Sequence, residues 1–206
     1  VTLDLESGQG RDVFKKLVEK NHILIENQPP GKLESLGIGY DVLKQIRAEV
    51  VMTSITPFGQ TGPHAHHQFT EMTLFATTGA MYREGVPGKE PLMYGGNMTQ
   101  YYAGAAAATV TMAEYLASTA TGQGRWIDIS MQECMVGHPH QISRRLPFVY
   151  SGDIDDRQEP HTPLAGIAIR EAYAVGTFRC QDGYVSFLPL GPRMWPSFAT
   201  MISRPD

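Results

Sequence analysis

The stretch HILIENQPPGKLESLGIGYDVLKQIRAEVVMTSIT, residues 22–56, sets the fold class. HILIE (22–26) and VVMTSIT (50–56) are short, continuous apolar runs of strand length. Between them, NQPPG is a turn and LESLGIGYDVLKQI reads as a loop and a helix. A strand, a helical crossover and a second strand predict parallel pairing, with helices packed on the sheet faces. Upstream, VTLDL (1–5) reads as another strand. GRDVFKKLVEK follows it with Val13, Phe14, Leu17 and Val18 on one helical face. Downstream, PFGQTGP stops the second strand, and helices are expected over 70–80 and 98–118. The second of these is rich in small residues (AGAAAAT), as close packing requires. TGQGRW is a turn, WIDISM a strand, and 131–148 a helix. In parallel sheets ligands gather at the carboxyl ends of the strands, which singles out the loops 27–37 and 57–71.

Residues 1–146 therefore read as part of one α/β domain. From Pro147 to residue 169 the composition turns to Asp, Pro, Arg and Gly, a linker. TFRC and YVSFLPL then form a hairpin around QDG, with Asp-Gly as its tight turn. Residues 170–206 are the expected start of a smaller α+β domain.

The bulk properties exclude several classes. With 17 Lys and Arg against 21 Asp and Glu, the net charge of −4 offers no basic field for phosphate backbones, so no nucleic-acid partner is expected. Cys134 and Cys180 are too few for a disulfide framework and fit a reducing cytosol. No apolar run reaches the roughly 18 residues of a membrane span, so no membrane partner is expected either. The chain opens on Val1 rather than Met and stops at SRPD, and both ends read as cut.

Other patterns point to weaker chemistry. His64, His66 and His67 alternate after FGQTGP and are potential zinc or nickel ligands, but no Cys or acid stands at metal spacing, so a solvent-facing loop is expected. Cys134, His138 and His140 lack a fourth ligand. No metal site is expected. Gly122 and Gly124 read as a turn, whereas Gly95 and Gly96 would let backbone approach a ligand. Tyr101 and Tyr102 read as core or interface.

An ordered set of segments resembles coenzyme A-transferase family III, the formyl-CoA and carnitine CoA-transferase (CaiB/BaiF) family. IENQPPGKLESLGIGYDVLKQI is similar to its "ENFxPG…LGxGYexL" element, and TSITPFGQTGP to its "sIsgFGqtGP" loop. TGQGRWIDISMQE resembles "TGrGqxvdvSmxea", and FRCQDGYVSF resembles "yrcaDGyv". The matches run in family order from residue 1 to about 200. The resemblance implies a Rossmann-like large domain, incomplete here, with a smaller domain inserted, and subunits interlocked as a dimer. It also implies that the chain is about half of a family enzyme.

The same resemblance implies the chemistry. The family moves coenzyme A between an acyl-CoA and a carboxylic acid through an aspartate carboxylate, with coenzyme A as substrate and no covalently bound cofactor. Counting back from Gly104, and from TGQG, puts Gln100 at the aspartate position. Glu71 matches a common acidic position and is a substitute carboxylate or a structural acid. The implied coenzyme contacts are Asn27, Gln28, Ser35, Leu36, Gln68, Gly95 and Gly96. Three of these depart from the family pattern: Gln28 replaces an aromatic residue, Ser35 an arginine, and Gln68 a lysine found in some members. Two functions stay open: a transferase chain, by itself or completed by a partner subunit, or a non-catalytic CoA-thioester-binding or assembly subunit. An isomerase or racemase fits less well, because Thr70 and Gln100 stand where such relatives place a histidine and an aspartate.

Overall fold

Ser7 begins the first helix. In a computed structural model that describes residues 2–154, 157, 176–187 and 193–204, its Oγ accepts from the Gly10 N–H at 3.0 Å and caps α1 (Gly8–Lys20). The expected opening strand is not formed. Residues 2–4 are irregular and the chain turns at 5–7. Ser7 Oγ donates to the Asp4 carbonyl at 2.8 Å, and a Cβ on Gly10 would lie 1.8 Å from that oxygen. The segment folds back on the first turn of α1, so it cannot extend as a strand. The buried face of α1 is also narrower than its spacing implies. Val18 is buried and Phe14 packs on the core, while Val13 and Leu17 are exposed.

The next elements are β1 (Ile23–Glu26), α2 (Lys32–Ser35), α3 (Tyr40–Ile46) and β2 (Val51–Thr56). Then come α4 (Glu71–Thr77), α5 (Ala80–Arg83), α6 (Met98–Thr121), β3 (Trp126–Ser130) and α7 (Met131–Val136). The strands form a parallel sheet in the order β1-β2-β3, with Ile23 opposite Val51 and Met52 opposite Trp126. This is the expected α/β, Rossmann-like arrangement. β2 is the middle strand and is buried along almost its whole length, as a parallel strand covered on both faces should be.

Alternation along β2 divides the core into two layers. Met52 joins Val50, Val18, Leu33, Ile38 and Leu43 beneath α1, α2 and α3. Val51 joins Ile127, Ile129, Ala103 and Ala107 beneath α6. The buried residues of α6 are Thr99, Ala103, Ala107, Thr111 and Ser118, a stripe of small side chains at helical spacing that brings the helix close to the sheet. Within that layer, Thr53 Oγ1 and Thr111 Oγ1 share a buried hydrogen bond of 2.6 Å.

Glycines end or redirect several elements. Gly122, at φ 73°, closes α6 with its N–H on the Ser118 carbonyl at 2.8 Å. Two residues on, Gly124 donates to the Ala48 carbonyl, and a Cβ there would meet the Val50 carbonyl at 1.9 Å. The helix expected over 70–80 is α4 followed by α5, separated by Gly79 at φ 80°. The helix expected over 131–148 is likewise two. α7 ends at Gly137, and Pro139 opens α8 (Pro139–Ser151), because proline lacks an N–H to continue a helix yet suits the first position of a new one. Pro147, read as the first linker residue, lies inside α8.

The chain divides into two compact units, 1–80 with 93–138, and 81–92 with 139–206. In the second, β4 (Gly176–Arg179) and β5 (Tyr184–Phe187) pair antiparallel as the expected hairpin around Asp182-Gly183. Phe187 packs edge-on against Phe198 of α9 (Met194–Met201), with ring centroids 4.8 Å apart. Most of the expected linker lies outside the described residues, as does the side chain of His140. Among the described residues no helix is long and apolar enough to cross a membrane.

Candidate functional site

The start of α6 is capped from a distant part of the chain. Asn97 precedes the helix but makes no side-chain cap. Glu71 takes that role from the first turn of α4, which Thr70 and Thr73 fix with a reciprocal capping box. Glu71 Oε1 accepts from the Thr99 N–H at 2.8 Å, and Oε2 from the Thr99 hydroxyl at 2.6 Å. Gln100 Nε2 also donates to Oε2, at 3.2 Å. The carboxylate thus answers one of the unpaired N–H groups that every helix start carries, where negative charge is favoured. Thr99 is fully buried, Glu71 half-buried and Gln100 exposed.

The structure brings Gln100 and Glu71, the two expected catalytic positions, into contact. Gly96 is close by: at φ 79° it turns the chain into α6, and a Cβ there would stand 3.6 Å from the ring of Tyr101. Gly95 beside it is exposed. The other expected coenzyme positions are arranged differently. Asn27 and Gln28 leave β1 exposed, and the Gln28 N–H donates to the Glu26 carboxylate at 2.6 Å. The Ser35 hydroxyl is engaged by the Lys32 carbonyl at 2.8 Å, and Lys32 itself pairs with Glu6. Leu36 packs on the first core layer, and Gln68 is exposed on the loop before α4. Among the described residues no hydrogen bond joins the 27–36 loop to the Glu71–Gln100 cluster.

A cavity of about 380 Å³ lies between α3 and the loop after β2, a feature the sequence reading missed. Its walls include Glu34, Tyr40, Asp41, Gln60, Thr61 and Trp126. The rings of Tyr40 and Trp126 stack with centroids 6.5 Å apart. Trp126 Nε1 donates to Ser54 Oγ at 2.9 Å, whereas the Tyr40 hydroxyl is buried with no hydrogen-bond partner. Burial raises the Tyr40 pKa, the neighbouring Asp41 and then Glu114 add to the shift, and Arg125 opposes it. Gln60 is held by its N–H on Asp128 Oδ2 at 2.9 Å.

Cys134 packs against the second core layer, and burial followed by the Glu133 charge raises its pKa. That thiol is kept protonated, the opposite of an activated nucleophile. The ring of His138 lies against Tyr102, with centroids 4.1 Å apart. Among the described residues no group of three or more His, Cys, Asp or Glu is placed to hold a metal ion.

Comparison with known proteins places the chain in a family. The chain belongs to CoA-transferase family III, whose model matches residues 1–206. It is 29% identical over 95% of its length to the succinyl-CoA:(R)-benzylsuccinate CoA-transferase subunit BbsE of Thauera aromatica, covering 46% of that protein. Over its whole length it is 30% identical to the succinyl-CoA–L-malate CoA-transferase alpha subunit of Chloroflexus aurantiacus, again covering 46%. A crystal structure of a CAIB/BAIF family protein from Brucella suis superposes on the whole chain with a TM-score of 0.80 at 25% identity, and the chain covers 52% of it. The chain spans about half the length of the relatives it matches.

Proposed function

We propose that this chain is one subunit of an enzyme that moves coenzyme A between an acyl-CoA and a carboxylic acid, and that a partner subunit supplies the attacking carboxylate. The observation that carries this reading is the uncharged Gln100 at the start of α6, hydrogen-bonded to a Glu71 whose two oxygens already accept three bonds. In the transfer the family performs, a carboxylate oxygen attacks the thioester carbonyl, forming a mixed anhydride and expelling CoA thiolate. The thiolate then attacks the enzyme's side of the anhydride, releasing the first acid and leaving an enzyme–CoA thioester. The second acid's carboxylate attacks that thioester and expels the thiolate again. Return of the thiolate to the substrate side of the new anhydride yields the second acyl-CoA and frees the enzyme carboxylate.

A carboxamide cannot start this sequence, because its nitrogen lone pair is delocalised and its oxygen carries no full charge. Glu71 is a poor substitute, since each donor on its oxygens stabilises the carboxylate and lowers its nucleophilicity. Two copies of this chain would hold two amides and no attacking group, which favours a heteromer over a homodimer. The subunit names of the Thauera and Chloroflexus relatives support the same reading. In this scheme Asn27, Gln28, Ser35, Leu36 and Gln68 face the nucleotide end of coenzyme A, and Gly95 and Gly96 let backbone approach the thioester. The free thiols Cys134 and Cys180 support action in the cytosol.

A second reading, a CoA-binding or assembly subunit without chemistry, is favoured by the engaged state of Ser35 and Lys32, which leaves the 27–36 loop poor in donors for phosphate. One experiment separates them. The purified chain should transfer no CoA alone and should do so when co-expressed with a homologue that carries the aspartate. Replacing that aspartate by alanine should abolish turnover, whereas Gln100→Ala should leave most of it. Transfer by the isolated chain would overturn the proposal. Activity that is indifferent to the presence of this chain would select the assembly reading.

A further inference from the structure

The loop after β2 holds a second arrangement of chemical interest, independent of the transferase reading. Residues 64–67 form a turn closed by the His67 N–H on the His64 carbonyl at 2.9 Å. Ala65, inside the turn, is buried and anchors it, while His64, His66 and His67 are exposed. Phe58 lies beside both flanking imidazoles, with ring centroids 6.2 Å from His64 and 6.1 Å from His67. The two imidazoles are 4.8 Å apart by centroid, yet their Nδ1 atoms are only 3.3 Å apart. The Nδ1 edges therefore face each other.

We propose that His64 and His67 chelate a divalent transition-metal ion of the zinc, cobalt or nickel kind through their Nδ1 atoms. Two imidazole nitrogens bound to zinc at about 2.0–2.1 Å and a tetrahedral angle stand roughly 3.3–3.4 Å apart. The observed separation matches that bite, and a small rotation of each ring turns its Nδ1 from its neighbour towards the ion. In the metal-free pair, one ring must carry its proton on Nδ1 to bridge the gap. On binding, that proton moves to Nε2 of the same ring and both lone pairs converge on the ion, so the number of protons held is unchanged. The turn and Phe58 fix the rings beforehand, which lowers the ordering cost of chelation. No Asp, Glu or Cys joins the pair among the described residues, so water completes the coordination and the ion stays open to exchange. The sequence alone points away from a metal here because no Cys or acid stands at metal spacing; the inference rests on the Nδ1 pair, which only the folded turn creates.

The test uses the full chain, free of any affinity tag, titrated calorimetrically with zinc chloride, with imidazole nitrogens followed by long-range 1H–15N correlation. Zinc should bind at one ion per chain and shift Nδ1 of both His64 and His67. His64→Asn and His67→Asn should each weaken binding by at least about tenfold, since even a partner behind a metal ligand is typically worth about 10–100-fold. His66→Asn should bind as the parent does. Equal binding by all three variants, or perturbation of Nε2 in place of Nδ1, would overturn the proposal. So would an absence of binding by the parent chain.

Discussion

Thr99 occupies both oxygens of the Glu71 carboxylate, one through its backbone N–H at 2.8 Å and the other through its hydroxyl at 2.6 Å. These residues are 28 apart in the chain, and their contact ties the first turn of α4 to the first turn of α6. A hydrogen bond to a charged group contributes about 1.5–3 kcal/mol, and leaving the buried Thr99 donors unanswered adds to the loss. Glu71→Ala should therefore lower stability by about 3 kcal/mol, read from the urea midpoint at unchanged m-value. Thr99→Val should cost less, because the backbone N–H survives. A loss below about 0.5 kcal/mol for Glu71→Ala would mean the pair contributes nothing net.

Restoring a carboxylate at position 100 tests whether the remaining geometry is competent. Gln100→Asp should form an acyl-enzyme on mixing with an acyl-CoA, trapped by hydroxylamine as a hydroxamate, while the parent chain gives none. The new acid would stand near Glu71, and neighbouring carboxylates push one pKa of the pair upward. The yield should accordingly increase with pH across the acidic range. Continued inertness at every pH would place the thioester somewhere other than the start of α6.

Alkaline stability should respond to Tyr40 and Cys134. Burial raises both pKa values, with Asp41 adding at Tyr40 and Glu133 at Cys134. A raised folded-state value means the unfolded chain loses its proton first. The stabilisation is complete below the unfolded values, about 8.5 for cysteine and about 10 for tyrosine, and is lost as pH climbs past them. The melting temperature should fall between about pH 9 and 11, and the double variant Tyr40→Phe, Cys134→Ala should show a flatter decline. Because the Tyr40 hydroxyl is buried without a partner, Tyr40→Phe alone should also gain about 1 kcal/mol at neutral pH.

Gly124 tests the joint between α6 and β3. An added Cβ would lie 1.9 Å from the Val50 carbonyl oxygen, a backbone atom that cannot swing aside. Gly124→Ala should destabilise by about 3 kcal/mol or more. Gly122→Ala, strained by φ 73° but open in space, should cost only about 1 kcal/mol. Equal losses at the two positions would refute the steric account.

What the sequence disclosed follows from the range of the forces involved. β1, β2 and β3 were legible because continuous apolar runs of strand length need no partner to be recognised, and the β4–β5 hairpin because Asp182-Gly183 specifies its own turn. α6 was legible from its small-residue stripe, three residues short at the far end. The opening segment misled because Ser7 and Gly10 fold it back on α1, a preference no local alternation records. The Gly137–Pro139 break was written in the residue types but outweighed by apolar periodicity on both sides. The contact between Glu71 and Gln100 could be expected only through family resemblance, and the Tyr40–Trp126 cavity not at all, since its walls come from three separate stretches of chain.

The hydroxyl pair of Thr53 and Thr111 has an evolutionary corollary. A lone change to valine at either position strands the other hydroxyl in a dry interior, whereas exchanging both for valine preserves shape and leaves no orphan. The two sites are therefore joined by a fitness valley about one mutation wide. Lineages descending from this chain should keep both threonines or discard both, and a single survivor should be rare.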